Sequence, residues 1–367
     1  MSSDIRVVEP GEYTSPARPP EIEGIPCADG RPLPPGPVPG RPYALPADLL
    51  VEEFGPLFYA DFGVSRRLYA CSLALVEELC DESRFIKGIT DRLDRFRPLA
   101  GDGLFTAYPG EPNWQKAHDV LLPGFSFSGL RNYHPAMLDI NRQLLARWDA
   151  SAGEHLVDVA EDLGKLAMDT VGLAGFGARF DSYQREGLAA IPASFAVALH
   201  QMLAPEGAHS DLFAAEQQKL HTFIDELIAR QREGADEHEN LLGLMLAPGT
   251  PQSPALELSS VHSQVLTFLI AGQDTTSTVM PTALYSLVKN PAVLHRAQAE
   301  VDALFGPEDD HTPTFDEIGK LRYIRQIVDE TLRLSPPVRE FDRMATEDTL
   351  LAGRYPVRKG EVVTVLT

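Results

Sequence analysis

Apolar residues are densest between residues 261 and 280, which read VHSQVLTFLIAGQDTTSTVM. The apolar positions leave no wide polar face, so the pattern predicts a helix that is buried on nearly every side. The middle of this helix nevertheless carries Gly272, Asp274 and Thr275. A buried carboxyl is costly unless it is hydrogen-bonded or neutralised, and a helical hydroxyl can bond the carbonyl one turn earlier and bend the axis. The segment is therefore either a helix weakened for a function or a core helix with solvated polar residues near one end.

Helical periodicity also dominates most of the remaining chain. Ser126 and Ser128 are candidate N-caps for a helix that runs to about Trp148. Pro281 lacks an N–H group, so we expect it to kink or end the central helix. Further helices are predicted at residues 73–79, 113–122, 156–176, 220–228, within 234–254, and at 292–305 and 321–334.

Alternation of apolar and polar residues replaces the helical pattern towards both ends of the chain. Residues 57–69 predict short strands, and the chain from Asp342 onward predicts two or more strands with a turn at Lys359 and Gly360. The pattern as a whole predicts a mainly α-helical protein with small β-sheets, in the α+β class.

Proline content separates the first 46 residues from the rest. Twelve of the 30 prolines lie there, and proline disfavours helix and central strand alike. We expect residues 1–46 to be an extended or disordered leader, with a proline-rich binding motif as the less favoured alternative. Residues 47–367 are expected to form the folded domain.

Charge and cysteine content narrow the functional classes. The 32 basic and 53 acidic residues give a net charge of -21, which argues against nucleic acid as a partner. The three cysteines form neither a CxxC pair nor a disulfide framework. No segment approaches the roughly 20 apolar residues that span a bilayer, and the N-terminus lacks the pattern of a signal peptide. These features predict a cytoplasmic protein with no membrane span.

Two further pairs of residues have a spacing that would bring their side chains together on one face of a helix. Glu330 and Arg333 lie three apart on one predicted helix, and Trp114 and His118 lie four apart on another. Taken singly, the first pair is typical of a solvated helix face and the second of core packing.

In their order along the chain, these groups resemble motifs of the cytochrome P450 family, the haem-thiolate monooxygenases. AGQDTT is similar to that family's oxygen-binding segment, ETLR to its Glu-x-x-Arg element, and WQKAH to the element that contacts the haem propionates. The stretches AGDGLFTAYPGEPNWQKAHDVLLPGFS and YPVRKGEVVTVL resemble the bacterial fatty-acid hydroxylases, whose haem domain is fused to a flavin reductase. The resemblance begins near residue 33 and implies the cytochrome P450 fold for residues 47–367.

The resemblance implies a role for each matching residue. Thr275 would break the helix ladder beside the iron and, with Asp274 as proton source, relay protons so that the O–O bond cleaves. Ala271 completes the implied catalytic group by leaving room for oxygen and substrate. The residues implied to contact the haem are Lys87, Leu104, Trp114, His118, Phe125, Phe268, Gly272 and Thr276.

The implied substrate residues are Tyr69, Phe105, Val338 and Phe341. Phe105 would stand over the haem edge and gate the approach of the substrate. Tyr69, with Arg66 and Arg67 nearby, would anchor a carboxylate at the mouth of the channel. Ser65 stands at the position where the family has arginine.

Charged residues near the end of the chain have both implied and unusual roles. Glu330 and Arg333 would form a buried ion-pair network behind the haem, with Arg343 as one candidate third member. Arg339 and Glu340 replace apolar residues of the family, so we expect them either to turn outward or to recognise a polar substrate group. This departure argues against a simple fatty acid as substrate.

The family's iron ligand is a cysteine thiolate in a Phe-x-x-Gly-x-Arg-x-Cys loop. The chain ends at Thr367, before such a loop, while Cys27, Cys71 and Cys80 precede every motif. We therefore expect a C-terminally truncated haem domain that has no metal ligand of its own and is inactive as it stands.

For the full-length protein, the resemblance implies a monooxygenase that inserts one atom of O2 into a C–H bond of a hydrophobic substrate, with a fatty acid as one option. Its implied cofactors are haem and, through a fused or separate flavin reductase, FAD, FMN and NADPH. The alternative is a non-catalytic P450-like scaffold that binds small molecules or partners without redox chemistry. An unrelated all-helical binding protein is a more remote third interpretation. Retention of Thr275, Asp274 and Glu330 favours the enzyme.

Overall fold

The computed structural model describes residues 25–29, 46–61, 66–153, 156–184, 189–204, 210–234, 240–249, 255–306 and 311–366, and most of these lie in α-helices. The helices are α1 Pro46–Phe54, α2 Leu73–Leu79, α3 Asp91–Asp94, α4 Arg97–Ala100, α5 Pro112–Leu121, α6 Phe127–Ser151, α7 Val159–Thr170, α8 Ala190–Leu203, α9 Asp211–Arg232, α10 Leu241–Leu246, α11 Leu258–Lys289, α12 Pro291–Phe305, α13 Phe315–Ile318 and α14 Arg322–Leu334. The strands are β1 Leu57–Asp61, β2 Arg66–Ala70, β3 Phe85–Lys87, β4 Glu340–Ala345, β5 Thr349–Leu351, β6 Tyr355–Val357 and β7 Val362–Leu366. The mainly helical α+β class is therefore confirmed. Among the described helices, none combines the length and apolar character needed to cross a membrane.

Backbone packing divides the described chain into two compact units. Unit 1 comprises the residues up to Asp94, Tyr108–Glu111 and the residues from Val338 onward, and unit 2 comprises Arg95–Ala107 and Pro112–Pro337. Each unit has its own hydrophobic core.

Unit 1 is built on a five-stranded sheet with the strand order β1-β2-β7-β4-β3. β7 pairs parallel with β2 and antiparallel with β4, and the consecutive residues Val363, Thr364 and Val365 are all buried, so both faces of this central strand are covered. Asp342 in β4 accepts hydrogen bonds from the hydroxyls of Thr364 (2.6 Å) and Thr90 (2.7 Å). Gly360, in the predicted turn before β7, has a φ of +82° that suits glycine.

The described part of the leader adds to this sheet. The N–H of Ala28 donates to the carbonyl of Tyr59 (2.7 Å), and the N–H of Tyr59 donates to the carbonyl of Pro26 (2.9 Å). Residues 26–28 are therefore extended along β1, while the remainder of the predicted leader up to Leu45 lies outside the described residues.

Unit 2 is a helical assembly around α11, which packs against α7, α4 and α10. Polar caps begin several of its helices where the sequence places them. Ser126, Asp158, Ser210 and Asn240 each accept a hydrogen bond from the backbone N–H three residues later, which satisfies one free donor of the helix that follows.

The central helix differs from its prediction in two ways. Burial on nearly every side holds only from Val261 to about Ile270, since Ala271, Asp274 and Thr276 are exposed. Pro281 does not end the helix, which continues to Lys289. Only one backbone hydrogen bond is lost at a proline, and the surrounding turns of this long helix retain theirs.

The predicted helix at 156–176 is also shorter than expected. It begins after the Asp158 cap, runs to Thr170 and continues as one π-helical turn over Val171–Gly175. The sequence did not predict α8 at all, because apolar residues surround that helix without a polar face to mark its period.

Candidate active site

The segment of α11 from Ala271 to Thr276 is bonded to its own backbone by hydroxyl groups. Thr275 Oγ1 donates to the carbonyl of Ala271 (2.7 Å), and Thr278 Oγ1 donates to the carbonyl of Asp274 (2.8 Å). Such bonds usually bend a helix, but α11 is continuous here. The expectation that Thr275 breaks the helix ladder is therefore wrong for this structure. The hydroxyl hydrogen is committed to Ala271, so the lone pairs of Thr275 Oγ1 are left to accept.

Asp274 lies one residue before this hydroxyl and is exposed. Loss of hydration around its carboxyl nevertheless raises its pKa above the ordinary value. A carboxyl with a raised pKa keeps its proton to higher pH and can return it to a neighbouring acceptor. The role of Asp274 as a proton source stays a prediction.

Gly272 fits closely against the π-helical turn that follows α7. A Cβ atom added at Gly272 would lie 2.4 Å from Cγ2 of Val171, which is closer than two carbon atoms can approach. The sequence predicted a loosened helix at Gly272. The structure adds that the missing side chain lets α11 approach Val171.

Trp114 and His118 face the same way from α5, as their spacing predicted. Their rings stack with centroids 5.0 Å apart and an angle of 18° between planes. Nδ1 of His118 is screened from water and has no hydrogen-bond partner among the described residues, although Asp119 Oδ1 lies 3.5 Å away. A shielded imidazole nitrogen without a partner suits an acidic group such as a haem propionate.

Aromatic residues line the parts of unit 2 that lead to α11. Phe105 is half-buried and meets Phe96 edge-on, with ring centroids 5.3 Å apart. Phe125 stacks on Phe268 of α11 at 5.8 Å. The backbone N–H of Leu104 donates to Oε1 of the fully buried Gln264 (2.9 Å), so α11 fixes the position of the Phe105 loop.

The predicted carboxylate anchor has a different environment from the one expected. Tyr69 is only 1% exposed and stacks on Phe58 inside unit 1, so it does not lie at an open channel mouth. Burial raises the pKa of its hydroxyl. Arg66 is ion-paired with Asp29 (3.0 Å) and Arg67 with Asp91. Ser65 lies outside the described residues.

Two charged residues of unit 1 have partners that the sequence did not predict. Glu340 is ion-paired with Arg92, and its expected outward turn or recognition of a polar substrate group stays a prediction. Arg343 donates to the backbone carbonyls of Leu79 (2.8 Å) and Phe85 (2.9 Å). Its guanidinium therefore binds the backbone of unit 1.

The remaining predicted residues of unit 1 are placed as follows. Val338 is exposed, and Phe341 packs in part against the core of the sheet. Lys87 is the last residue of β3 and pairs in register with Arg343.

The Glu330–Arg333 pair forms on α14 as its spacing predicted. Arg333 Nε and Nη2 each donate to one carboxylate oxygen of Glu330 at 2.7 Å, which is a bidentate pair. The side chains are 56% and 66% exposed, so the predicted burial is wrong for this structure. At this exposure the pair contributes little to stability.

Unit 2 fits the distal and propionate sides of a haem. The shielded nitrogen of His118 suits a propionate, and Gly272 and Ala271 add almost no side-chain volume to the exposed turn of α11. Unit 2 has no cysteine in its sequence, and the cysteines of unit 1 include Cys71, whose thiol donates to the carbonyl of Pro56 (3.2 Å). Among the described residues, no group of three or more histidine, cysteine or carboxylate side chains could hold a metal ion.

Three features of unit 2 were not predicted from the sequence. They are the Gln264 bond to the Phe105 loop, the Val171 contact with Gly272, and a contact between His221 and His262. Each of these contacts joins residues more than 40 positions apart, and local sequence patterns do not predict such contacts.

Comparison with known proteins places the chain in a family. The family model described as Cytochrome P450 matches residues 47–367. Among curated proteins, the chain is 38% identical over 329 residues to "Bifunctional cytochrome P450/NADPH--P450 reductase 2" of Bacillus subtilis, covering 86% of this chain and 31% of that protein. It is 38% identical over 324 residues to the bifunctional cytochrome P450/NADPH--P450 reductase of Bacillus cereus (85% and 30%) and 35% identical over 334 residues to that of Fusarium oxysporum (86% and 31%). The chain thus spans less than a third of the length of these relatives. It belongs to the cytochrome P450 family.

Proposed function

We propose that the chain is the haem-binding part of a monooxygenase that inserts one oxygen atom of O2 into a C–H bond of a hydrophobic substrate. The electrons would come from NADPH through a flavin reductase, fused or separate, because the relatives above are named as fused to NADPH–P450 reductases. The observation that carries the proposal is the Ala271–Thr276 segment, where the continuous helix α11 becomes exposed and places a hydrogen-bonded hydroxyl next to a carboxyl of raised pKa.

The residues of unit 2 would divide the work. Trp114 and His118 hold the propionates of the haem, and Phe268 packs beside it from α11. Bound haem supplies the iron at which dioxygen is reduced and one oxygen atom transferred. Leu104 and Thr276 are proposed to complete the contacts with its face.

Proton transfer is the task proposed for Asp274 and Thr275. In the observed geometry, Thr275 Oγ1 donates its hydrogen to the Ala271 carbonyl. To relay a proton, Oγ1 would accept one from its surroundings while its own hydrogen leaves that carbonyl and passes on, which restores the hydroxyl. Asp274 holds the proton that enters, because its raised pKa keeps a larger protonated fraction near neutral pH. Ala271 and Gly272 keep the space beside Oγ1 open.

The substrate class rests on the apolar residues. Phe105 packs on Phe96 and Phe125 packs on Phe268 of α11, and aromatic rings of this kind suit a hydrophobic molecule. A fatty-acid carboxylate anchored at Tyr69 has less support, because that ring is buried and its neighbouring arginines are paired. We therefore propose a hydrophobic substrate and do not restrict it to fatty acids.

The test is the Thr275→Ala variant in the full-length gene product that contains these residues, supplied with haem and reductase. Product formed per NADPH consumed should fall about tenfold, while hydrogen peroxide rises, because proton delivery fails. Thr275→Ser should restore most of the coupling.

Thr282→Ala is the matched control. Thr282 Oγ1 donates the same kind of bond to the carbonyl four residues earlier (2.8 Å) on the same helix. Removing the Thr282 hydroxyl therefore perturbs α11 to a similar extent and leaves the proposed relay intact. Equal coupling in Thr275→Ala and the parent protein would refute the role of Thr275.

A further inference from the structure

A cavity of about 540 Å³ lies in unit 2, between α9, α11 and residues 98–101 of the α4 segment. Its size falls in the range of small-molecule sites, roughly 300–1,000 Å³. Pro98, Leu99 and Leu266 form its apolar wall. Two histidines and one carboxylate form part of its polar wall.

These three polar side chains form a chain of hydrogen bonds. Nδ1 of His221 lies 2.7 Å from Nδ1 of His262, and Nε2 of His262 lies 2.9 Å from Oδ1 of Asp225. The imidazole rings stack with centroids 4.9 Å apart. The described residues contribute no further hydrogen bond to either ring.

The carboxylate fixes the tautomer of both rings. Asp225 accepts only, so Nε2 of His262 carries the hydrogen and its Nδ1 is left as an acceptor. Nδ1 of His221 must then donate to it, which leaves Nε2 of His221 as an acceptor without a described partner. The neutral relay therefore ends in a lone pair.

The charges around the cavity are one-sided. Its lining contains one carboxylate, Asp225, and neither lysine nor arginine. The titratable groups that face His221 are Asp225 on its own helix and His262 on α11, and the lining residues of the α4 segment have none. Burial, followed by the neighbouring His262, lowers the pKa of His221 and so favours the neutral form of its ring. The Asp225 side chain is 69% exposed, so its carboxylate is accessible to a ligand.

We propose that this cavity is a second binding site, for a small organic cation that joins an ammonium group to an apolar body. The ammonium donates one N–H to Nε2 of His221, and the Asp225 carboxylate balances its charge. The apolar body packs on Leu99 and Leu266. The net charge of -21 favours the approach of a cation over that of an anion. This proposal does not depend on the monooxygenase function.

The site has a built-in dependence on pH. A cation competes with a proton for Nε2 of His221, so protonation of that nitrogen blocks the hydrogen bond and adds repulsion. Affinity should therefore weaken as the pH falls below the pKa of His221 and strengthen above it. At a pH where His221 is partly protonated, binding should release protons.

The experiment is titration calorimetry of the purified chain with 2-phenylethylammonium at about pH 7.5 and about pH 5.5. Omitting haem keeps coordination of the amine to iron out of the measurement. We expect tighter binding at the higher pH, by less than about tenfold because the pKa of His221 lies below its ordinary value. We expect no binding of 3-phenylpropionate, which has similar size and opposite charge.

Variants locate the site. Asp225→Asn should weaken amine binding about tenfold, whereas Glu226→Gln, which removes an exposed carboxylate from the next position of α9 outside the cavity, should not change it. His221→Leu should abolish binding and His221→Asn retain part of it, with unfolding curves confirming that each variant folds.

Three results would overturn the proposal. The first is equal amine affinity in Asp225→Asn and Glu226→Gln, and the second is tighter binding at the lower pH. The third is binding of 3-phenylpropionate as strong as that of the amine, which would mean that the cavity selects for shape alone.

Discussion

Replacing Gly272 by alanine tests whether α11 depends on close packing against the π-helical turn. The new Cβ would lie 2.4 Å from Cγ2 of Val171, and such overpacking costs about 1–3 kcal/mol. Alanine gains about 1 kcal/mol over glycine inside a helix. Because the clash is the larger effect, Gly272→Ala should destabilise unit 2 by about 1 kcal/mol. For a domain of roughly 150–250 residues this corresponds to a decrease in Tm of roughly 2–4 °C.

The matched control is Gly164→Ala in α7. Its added Cβ would have no neighbour nearer than Ser277 Cβ at 3.9 Å, so only the helix propensity acts and stability should rise by about 1 kcal/mol. Thermal unfolding followed by circular dichroism measures both. In a Val171→Ala background, the penalty of Gly272→Ala should largely vanish, since the clashing methyl group is gone. If Gly272→Ala stabilised the chain as much as Gly164→Ala does, the packing argument would be refuted.

Two other predictions concern stability. The buried Asp162 (2% exposed) accepts hydrogen bonds from Arg147 Nε (3.0 Å) and Trp148 Nε1 (2.9 Å). Asp162→Ala should therefore lower the free energy of unfolding, measured in urea, by about 3 kcal/mol. Asp149→Ala, at an exposed position, should lower it by less than about 0.5 kcal/mol. The capping bonds of Glu317 lower its pKa to about 2 from 4.5, so its stabilising effect is complete above pH 4.5 and disappears as the pH falls towards 2. The difference in Tm between Glu317→Gln and the parent should shrink over that interval, and a constant difference would contradict the assignment.

Local patterns predicted the elements that local physics determines. The helix expected at 113–122 is observed at Pro112–Leu121, and the helix expected at 73–79 is observed as Leu73–Leu79. The Ser126 cap and the Gly360 turn are found where they were placed. The signals are a helical hydrophobic period, a capping residue and a turn glycine. Each lies within a few residues of the structure that it determines.

The burial and the partners of the candidate residues depend on long-range contacts that local sequence patterns do not predict. The joint role of Asp274 and Thr275 stays a prediction, and their exposure depends on which elements cover the second half of α11. Tyr69 could be assigned to a strand, yet its burial follows from packing on Phe58. The ion pair of Glu340 with Arg92 was not predicted, because Arg92 lies 248 positions earlier and carries no local sign of pairing with it.

The two proposed sites share α11, and its geometry decides whether they act on each other. His262 and Ala271 are nine residues apart, which is about 13.5 Å along a continuous helix. That exceeds the Debye length of about 8 Å at physiological ionic strength, so a charge in the cation cavity perturbs the pKa of Asp274 only weakly. Mechanical coupling is also restricted, because Val265 and Leu269 between the sites are buried and a packed helix resists small displacements. The sites should therefore be independent, and Asp225→Asn should leave the coupling of product to NADPH unchanged.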